Sequence, residues 1–129
     1  MLNKLVKLIP IFYKDLSPNL RGRYYGLWIY IDKKYKGRNG LLAHERCHAR
    51  QLLKTLGLHG ILYPLSKRWK YKTEVEAFGY SIYAKERNKV EVKRTLIIAY
   101  KIPKNIMRNY EREIDYAVFK ASLDFEELI

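Results

Sequence analysis

Apolar and polar positions along this chain follow two different rhythms. Residues 10–31 are β-like. Ile11, Phe12 and Tyr13 form a short apolar stretch, and Ser17-Pro18-Asn19 with Gly22 carries turn chemistry. The run Tyr24-Tyr25-Gly26-Leu27-Trp28-Ile29-Tyr30-Ile31 is dense in aromatic and β-branched side chains, which predicts a single strand. A basic loop, Asp32 to Gly40, follows. From Leu41 to Leu56 the apolar positions Leu41, Leu42, Cys47, Ala49, Leu52 and Leu53 recur at spacings of three and four, which predicts a helix stopped by Gly57 and Gly60. Leu58 to Pro64 reads as a connector. A long helix is expected from near Ser66 to about Asn88, with Tyr71, Val75, Phe78 and Ile82 as its apolar stripe. Val90 to Tyr100 predicts a further helix ended by Pro103. Residues 104–128 predict a last one, with Met107, Tyr110, Ile114, Ala117 and Ala121 on one face. Strands first and helices afterwards imply an α+β fold.

With 129 residues and no internal linker, the chain is expected to form one domain spanning 1–129. It is 48% hydrophobic and 14% aromatic, enough for a packed core and unlike a disordered chain. One cysteine, Cys47, excludes an internal disulfide framework and a four-cysteine zinc site, and it reads as a buried, inert thiol. The N-terminal stretch is broken by Lys4, Lys7 and Pro10 and lacks a clear signal-peptide core, and the other apolar runs are too short to span a bilayer. The expected location is therefore the cytoplasm. Net charge is +13, unevenly spread: residues 1–110 hold 24 Lys+Arg and 7 Asp+Glu, residues 111–129 hold 2 and 6. Such a balance reads as a solvated basic surface complemented by an acidic last helix; contact with nucleic acid, anionic lipid or another polyanion is the alternative, but the lysines are dispersed and no nucleic-acid motif is present.

The chemistry lies in His44-Glu45-Arg46-Cys47-His48, an H-E-x-x-H within a predicted helix. Residues four apart sit about 40° apart on a helix, one turn displaced, so both imidazoles can present a nitrogen to one ion. Zinc accepts tetrahedral N/O coordination and, in catalytic sites, leaves the fourth position to water. Glu45 lies about 100° around from His44, poorly placed as a ligand but able to take a proton from that water. A third ligand is needed. Gln51 and Lys54 stand where a metzincin would have Gly and His, which excludes that class. Glu74, Glu76 and His59 remain. Glu74 and Glu76 flank Val75 by about 100° on either side, so periodicity alone does not choose between them.

The combination His44-Glu45-x-x-His48 followed about 25 residues later by Glu74-x-x-Ala77 resembles the gluzincin type of zinc metallopeptidase. The string H-E-R-C-H-A-R-Q followed by E-V-E-A, with a strand before it, also resembles small zincin-like proteins encoded by bacteriophages. The resemblance covers about residues 24–84 and departs at Phe78, where an aspartate that supports a histidine ligand often follows the alanine. It implies a zincin-like domain: a small N-terminal antiparallel sheet packed on the active-site helix, followed by two or three further helices. It implies one Zn2+ held by His44, His48 and Glu74, with Glu76 or His59 as alternatives to Glu74, and Glu45 as general base in peptide-bond hydrolysis. It also implies an edge strand that pairs with an extended substrate, here Leu27, Trp28 and Ile29, and, for a virus-encoded chain, action in the host cytoplasm. His59 could instead stabilise an oxyanion, as could one of Tyr71, Tyr80 and Tyr83. The rival reading is a basic module for nucleic acid or another polyanion, in which a metal is structural or vestigial.

Overall fold

The structure, a computed structural model, describes residues 2–18, 20–25 and 28–129. A five-residue helix, α1 (Leu2–Val6), precedes three short strands, β1 (Ile11–Lys14), β2 (Gly22–Tyr24) and β3 (Ile29–Asp32). A 3-10 turn at Lys33–Tyr35 leads into α2 (Asn39–Lys54), α3 (Leu58–Leu65), α4 (Lys67–Tyr83), α5 (Lys89–Ile98) and α6 (Tyr110–Leu128). The fold is α+β, as the order of patterns implies.

The sheet departs from expectation in two ways. The aromatic run 24–31 is divided between two strands, with Tyr25 N–H donating to the Trp28 carbonyl at 2.9 Å. Two antiparallel strands thus replace one long one, because β3 reverses direction to pair Tyr24 with Ile29 and Gly22 with Ile31. The sheet is also mixed, not antiparallel. Its order is β1-β3-β2, and β1 runs parallel to β3 with Ile11 beside Ile29 and Lys14 beside Asp32. Ile29 therefore lies in the central strand, fully buried, and cannot serve as an edge residue. Trp28 precedes the first residue of β3, and Leu27 falls outside the described residues.

Alternation sends Ile29 and Ile31 inward onto α2, while Phe12, Tyr30 and Arg23 share a row on the other face. The helices form two joined clusters. In one, Tyr71, Val75 and Phe78 of α4 pack on Val92 and Leu96 of α5 and on Tyr110, Ile114 and Ala117 of α6. In the other, Ala43, Cys47 and Ala49 of α2 meet Ala77 and Tyr80 of α4, Val6 of α1, and Ala121, Phe125 and Leu128 of α6. The central helix α4 belongs to both, which fixes its long axis against α2. Four expected helices are present, with shifted ends: the long one stops at Tyr83, and residues 104–109 are turns that precede α6. Ser66 caps α4 by accepting from Trp69 N–H at 3.1 Å. The expected connector 58–64 is instead the helix α3, which starts after Gly57 at φ +91° and accommodates Pro64 in its last turn.

Candidate metal centre

Helix α2 is unusual in burying a polar face. His44, Glu45, Arg46, His48 and Gln51 are all at most 8% exposed. Its outer flank is tied down by other elements. Arg46 donates to the Leu128 carbonyl at 2.7 Å, and Arg50 donates to Asp124 at 2.7 Å and to Tyr80 at 2.8 Å. Its N-terminus is held by Glu86, whose carboxylate accepts from the N–H groups of Gly40 at 2.6 Å and Leu41 at 3.0 Å. These contacts set the rotation of α2 and turn both histidines towards α4.

There they meet Glu74. Its Oε1 lies 3.5 Å from His44 Nε2 and 3.3 Å from His48 Nε2. That oxygen is buried and has no hydrogen-bond partner among the described residues. Donors around a tetrahedral ion with bonds of about 2.0–2.1 Å stand about 3.3–3.4 Å apart, so this spacing suits a shared cation. Two neutral imidazoles and a carboxylate are also an appropriate donor set. His44, His48 and Glu74 thus form a buried group that could hold one metal ion.

Each member is oriented by a neighbour. His48 Nδ1 pairs with Gln51 Oε1 at 2.9 Å, and Gln51 in turn donates to the Thr73 carbonyl at 3.0 Å and to Glu76 at 2.7 Å. His44 Nδ1 lies 3.4 Å from Ser81 Oγ, a long contact, and its ring packs edge-on against Phe78 with centroids 4.6 Å apart. Phe78 therefore positions the imidazole by packing, while Ser81, one turn further along α4, supplies the polar contact. The second oxygen of Glu74, Oε2, accepts a short hydrogen bond from Tyr63 on α3. Gln51 reaches His48 from three residues along the same helix, whereas Ser81 and Tyr63 carry no motif and only the packing of helices brings them to the trio.

Electrostatics follow from burial. Desolvation alone would raise the carboxyl of Glu74, but the facing His48 and His44 outweigh it and hold the group well below its ordinary range. Burial likewise opposes charge on His48, yet Glu74 reverses the balance and the imidazole is raised to about 9. Glu45 is shifted upward, chiefly by burial, with His44 and His48 opposing.

The remaining candidates are separated by position. Glu76 faces away, accepting from Gln51 and lying 3.5 Å from Cys47 Sγ. Cys47 is buried, and desolvation pushes its thiol well up, as an inert core cysteine requires. His59 sits on α3 with its ring centroid 6.2 Å from that of His48, and its Nδ1 accepts from Trp69 Nε1–H at 3.0 Å. That bond assigns the proton of neutral His59 to Nε2. The hydroxyls of Tyr71 and Tyr80 are bonded to Glu113 and Asp124, and Tyr83 packs against Phe125; none of the three takes part in the cluster.

Glu45 lies beside the trio on the wall of a cleft of about 770 Å³, together with His44, Phe78, Ser81 and Tyr100. Leu20, Arg21 and Gly22 line the same cleft, the last opening the edge strand β2. A Cβ at Gly22 would stand 3.2 Å from Glu45 Oε1, so the missing side chain is what lets this carboxylate lie against the strand. Comparison with protein families, curated proteins and solved structures finds no match to this chain.

Proposed function

We propose that this chain is a zinc-dependent peptidase of the H-E-x-x-H class, with a zincin-like arrangement and a gluzincin-like ligand set. The observation that carries the reading is the approach of Glu74 Oε1 to both imidazole Nε2 atoms while Glu45 borders an open cleft. His44, His48 and Glu74 would hold the zinc, and Tyr63, Gln51 and Ser81 would keep the three donors aimed. When bound, zinc supplies Lewis acidity that lowers the pKa of water and polarises a carbonyl oxygen. Glu45 takes the proton of the attacking water on a carboxylate oxygen and delivers it to the departing amine. Its upward shift brings it nearer the pH at which a carboxylate both accepts and returns a proton. The free edge of β2, beginning at Gly22, offers main-chain groups for an extended peptide beside Glu45. This edge replaces Leu27, Trp28 and Ile29 in the substrate-binding role.

The test compares wild type with Glu45→Gln on casein and on a mixed fluorogenic peptide library after loading with one equivalent of zinc. Glu45→Gln is expected to retain the metal while losing about 10²–10⁴-fold in hydrolysis rate. Equal cleavage by both proteins would remove Glu45 from the mechanism. Failure of the wild type to bind zinc would remove the mechanism altogether.

A further inference from the structure

The sheet face turned away from Glu45 is lined with rings and cations. Phe12, Tyr30 and Arg23 occupy one cross-strand row, on the opposite face from Ile29, Ile31 and Gly22. The rings are continuous: Phe12 to Tyr30 is 5.9 Å between centroids, Tyr30 to Tyr25 is 5.3 Å, and Tyr25 to Trp28 is 6.3 Å. Burial does not account for three of them, since Phe12 is 50% exposed, Tyr25 45% and Trp28 38%, while Tyr30 is half-buried. Cations alternate with the rings. Lys14 Nζ stands 3.9 Å above Tyr30, and the Arg23 guanidinium carbon is 5.2 Å from the Tyr25 ring centre. The only acid in the three strands, Asp32, is buried and accepts from the backbone N–H groups of Leu16 and Lys34. Residues 10–40 hold seven Lys+Arg and two Asp+Glu, so the surrounding field is positive.

We propose that this face binds single-stranded nucleic acid, with bases stacking on the exposed rings Phe12, Tyr25 and Trp28 around half-buried Tyr30, and phosphates meeting Lys14 and Arg23. A folded protein gains little from leaving three neighbouring aromatic rings in water, whereas unpaired bases offer flat apolar faces and a polyanionic backbone at once. Duplex DNA offers the charge but hides the base faces. A protein partner would have to set carboxylates between its apolar contacts to match the interleaved cations, whereas a nucleic-acid strand carries both features at every nucleotide. The site makes no use of the metal centre, and its failure would leave the peptidase reading untouched.

The test is fluorescence anisotropy of a labelled 12-nucleotide oligothymidylate on the full chain, with a duplex of equal length and inorganic polyphosphate as competitors. The single strand is expected to bind at least about tenfold tighter than the duplex and to quench Trp28. Phe12→Ala with Trp28→Ala is expected to lower its affinity by more than about tenfold while polyphosphate binding persists. Lys14→Ala with Arg23→Ala is expected to flatten the salt dependence by about 1.4 in log–log slope, two phosphates at about 0.7 each. Because ring removal could disturb the sheet, the conservative Phe12→Tyr and Trp28→Phe variants are measured alongside and should retain binding. Undiminished binding by the ring variants, equal competition by polyphosphate, or no binding at low salt would each overturn the proposal.

Discussion

Glu74 and Glu76 differ by two positions and by everything around them. Glu74 is buried against two imidazoles, while Glu76 accepts from the side chain of Gln51. Glu74→Gln should therefore remove the anionic ligand and weaken zinc binding by at least about 100-fold in a chelator-competition assay, whereas Glu76→Gln should leave affinity within about tenfold. Gln51→Ala, which frees His48 Nδ1 without touching a ligand, is expected to fall between, at about 10–100-fold. The histidine pair and Glu45 were legible from spacing alone, because four residues make one helical turn whatever the rest of the chain does. The choice of carboxylate was not, because both glutamates flank the same apolar stripe and only the docking of α4 on α2 decides which one turns inward. Tyr63 was hidden more deeply, since it reaches Glu74 from a segment that reads as a connector.

That segment shows where pattern reading loses whole elements. Gly57, Gly60 and Pro64 all signal a break, yet only Gly57 acts as one, at φ +91°. Gly60 and Pro64 lie within α3, and Pro64 is tolerated near its end. The aromatic run 24–31 misled in the opposite sense: uniform β propensity says nothing about where a strand turns. Long helices were more legible because their stripes persist over several turns, and Tyr71, Val75 and Phe78 are buried as the period requires. Within α4 the tightest constraint is Gly79, where a Cβ would stand 2.6 Å from the backbone carbonyl oxygen of Ala117. An alanine there gains about 1 kcal/mol in helix propensity but has to push α6 away, because a carbonyl cannot rotate aside as a side chain can. Gly79→Ala is expected to destabilise the protein by a net of about 1–3 kcal/mol, seen as a lower urea midpoint. At the N-terminus of α2, Glu86→Ala should cost about 1 kcal/mol, because Gly40 and Leu41 lose their shared acceptor, a loss read as a lower urea midpoint.

Over the whole molecule, the proposed metal would fasten α2 to α4 at their most polar contact, so above pH 6.5 a rise in pH should destabilise the stripped protein while leaving the loaded protein nearly level. In protein stripped of metal, His48 is raised to about 9 from an ordinary 6.5, so its protonated pairing with Glu74 stabilises the fold fully below pH 6.5 and fades as pH rises through 9. Glu74 is depressed below an ordinary 4.5, so its share is present above pH 4.5 and lost on acidification. Stripped protein should accordingly be most stable between about pH 4.5 and 6.5, as far as this pair is concerned. Zinc needs His48 neutral and must displace its proton, so affinity should rise by up to about tenfold per pH unit between 6.5 and 9. At zinc concentrations about 100-fold above the dissociation constant, binding adds about 2.7 kcal/mol to the folded state. The difference in Tm between zinc-loaded and EDTA-treated protein is thus expected to widen steadily from pH 6 to pH 9, with close to one proton released per zinc near pH 7.5 in weakly buffered calorimetry. A difference that stays constant over that range would mean that the ion binds without separating His48 from Glu74, and would place it elsewhere than between these three side chains.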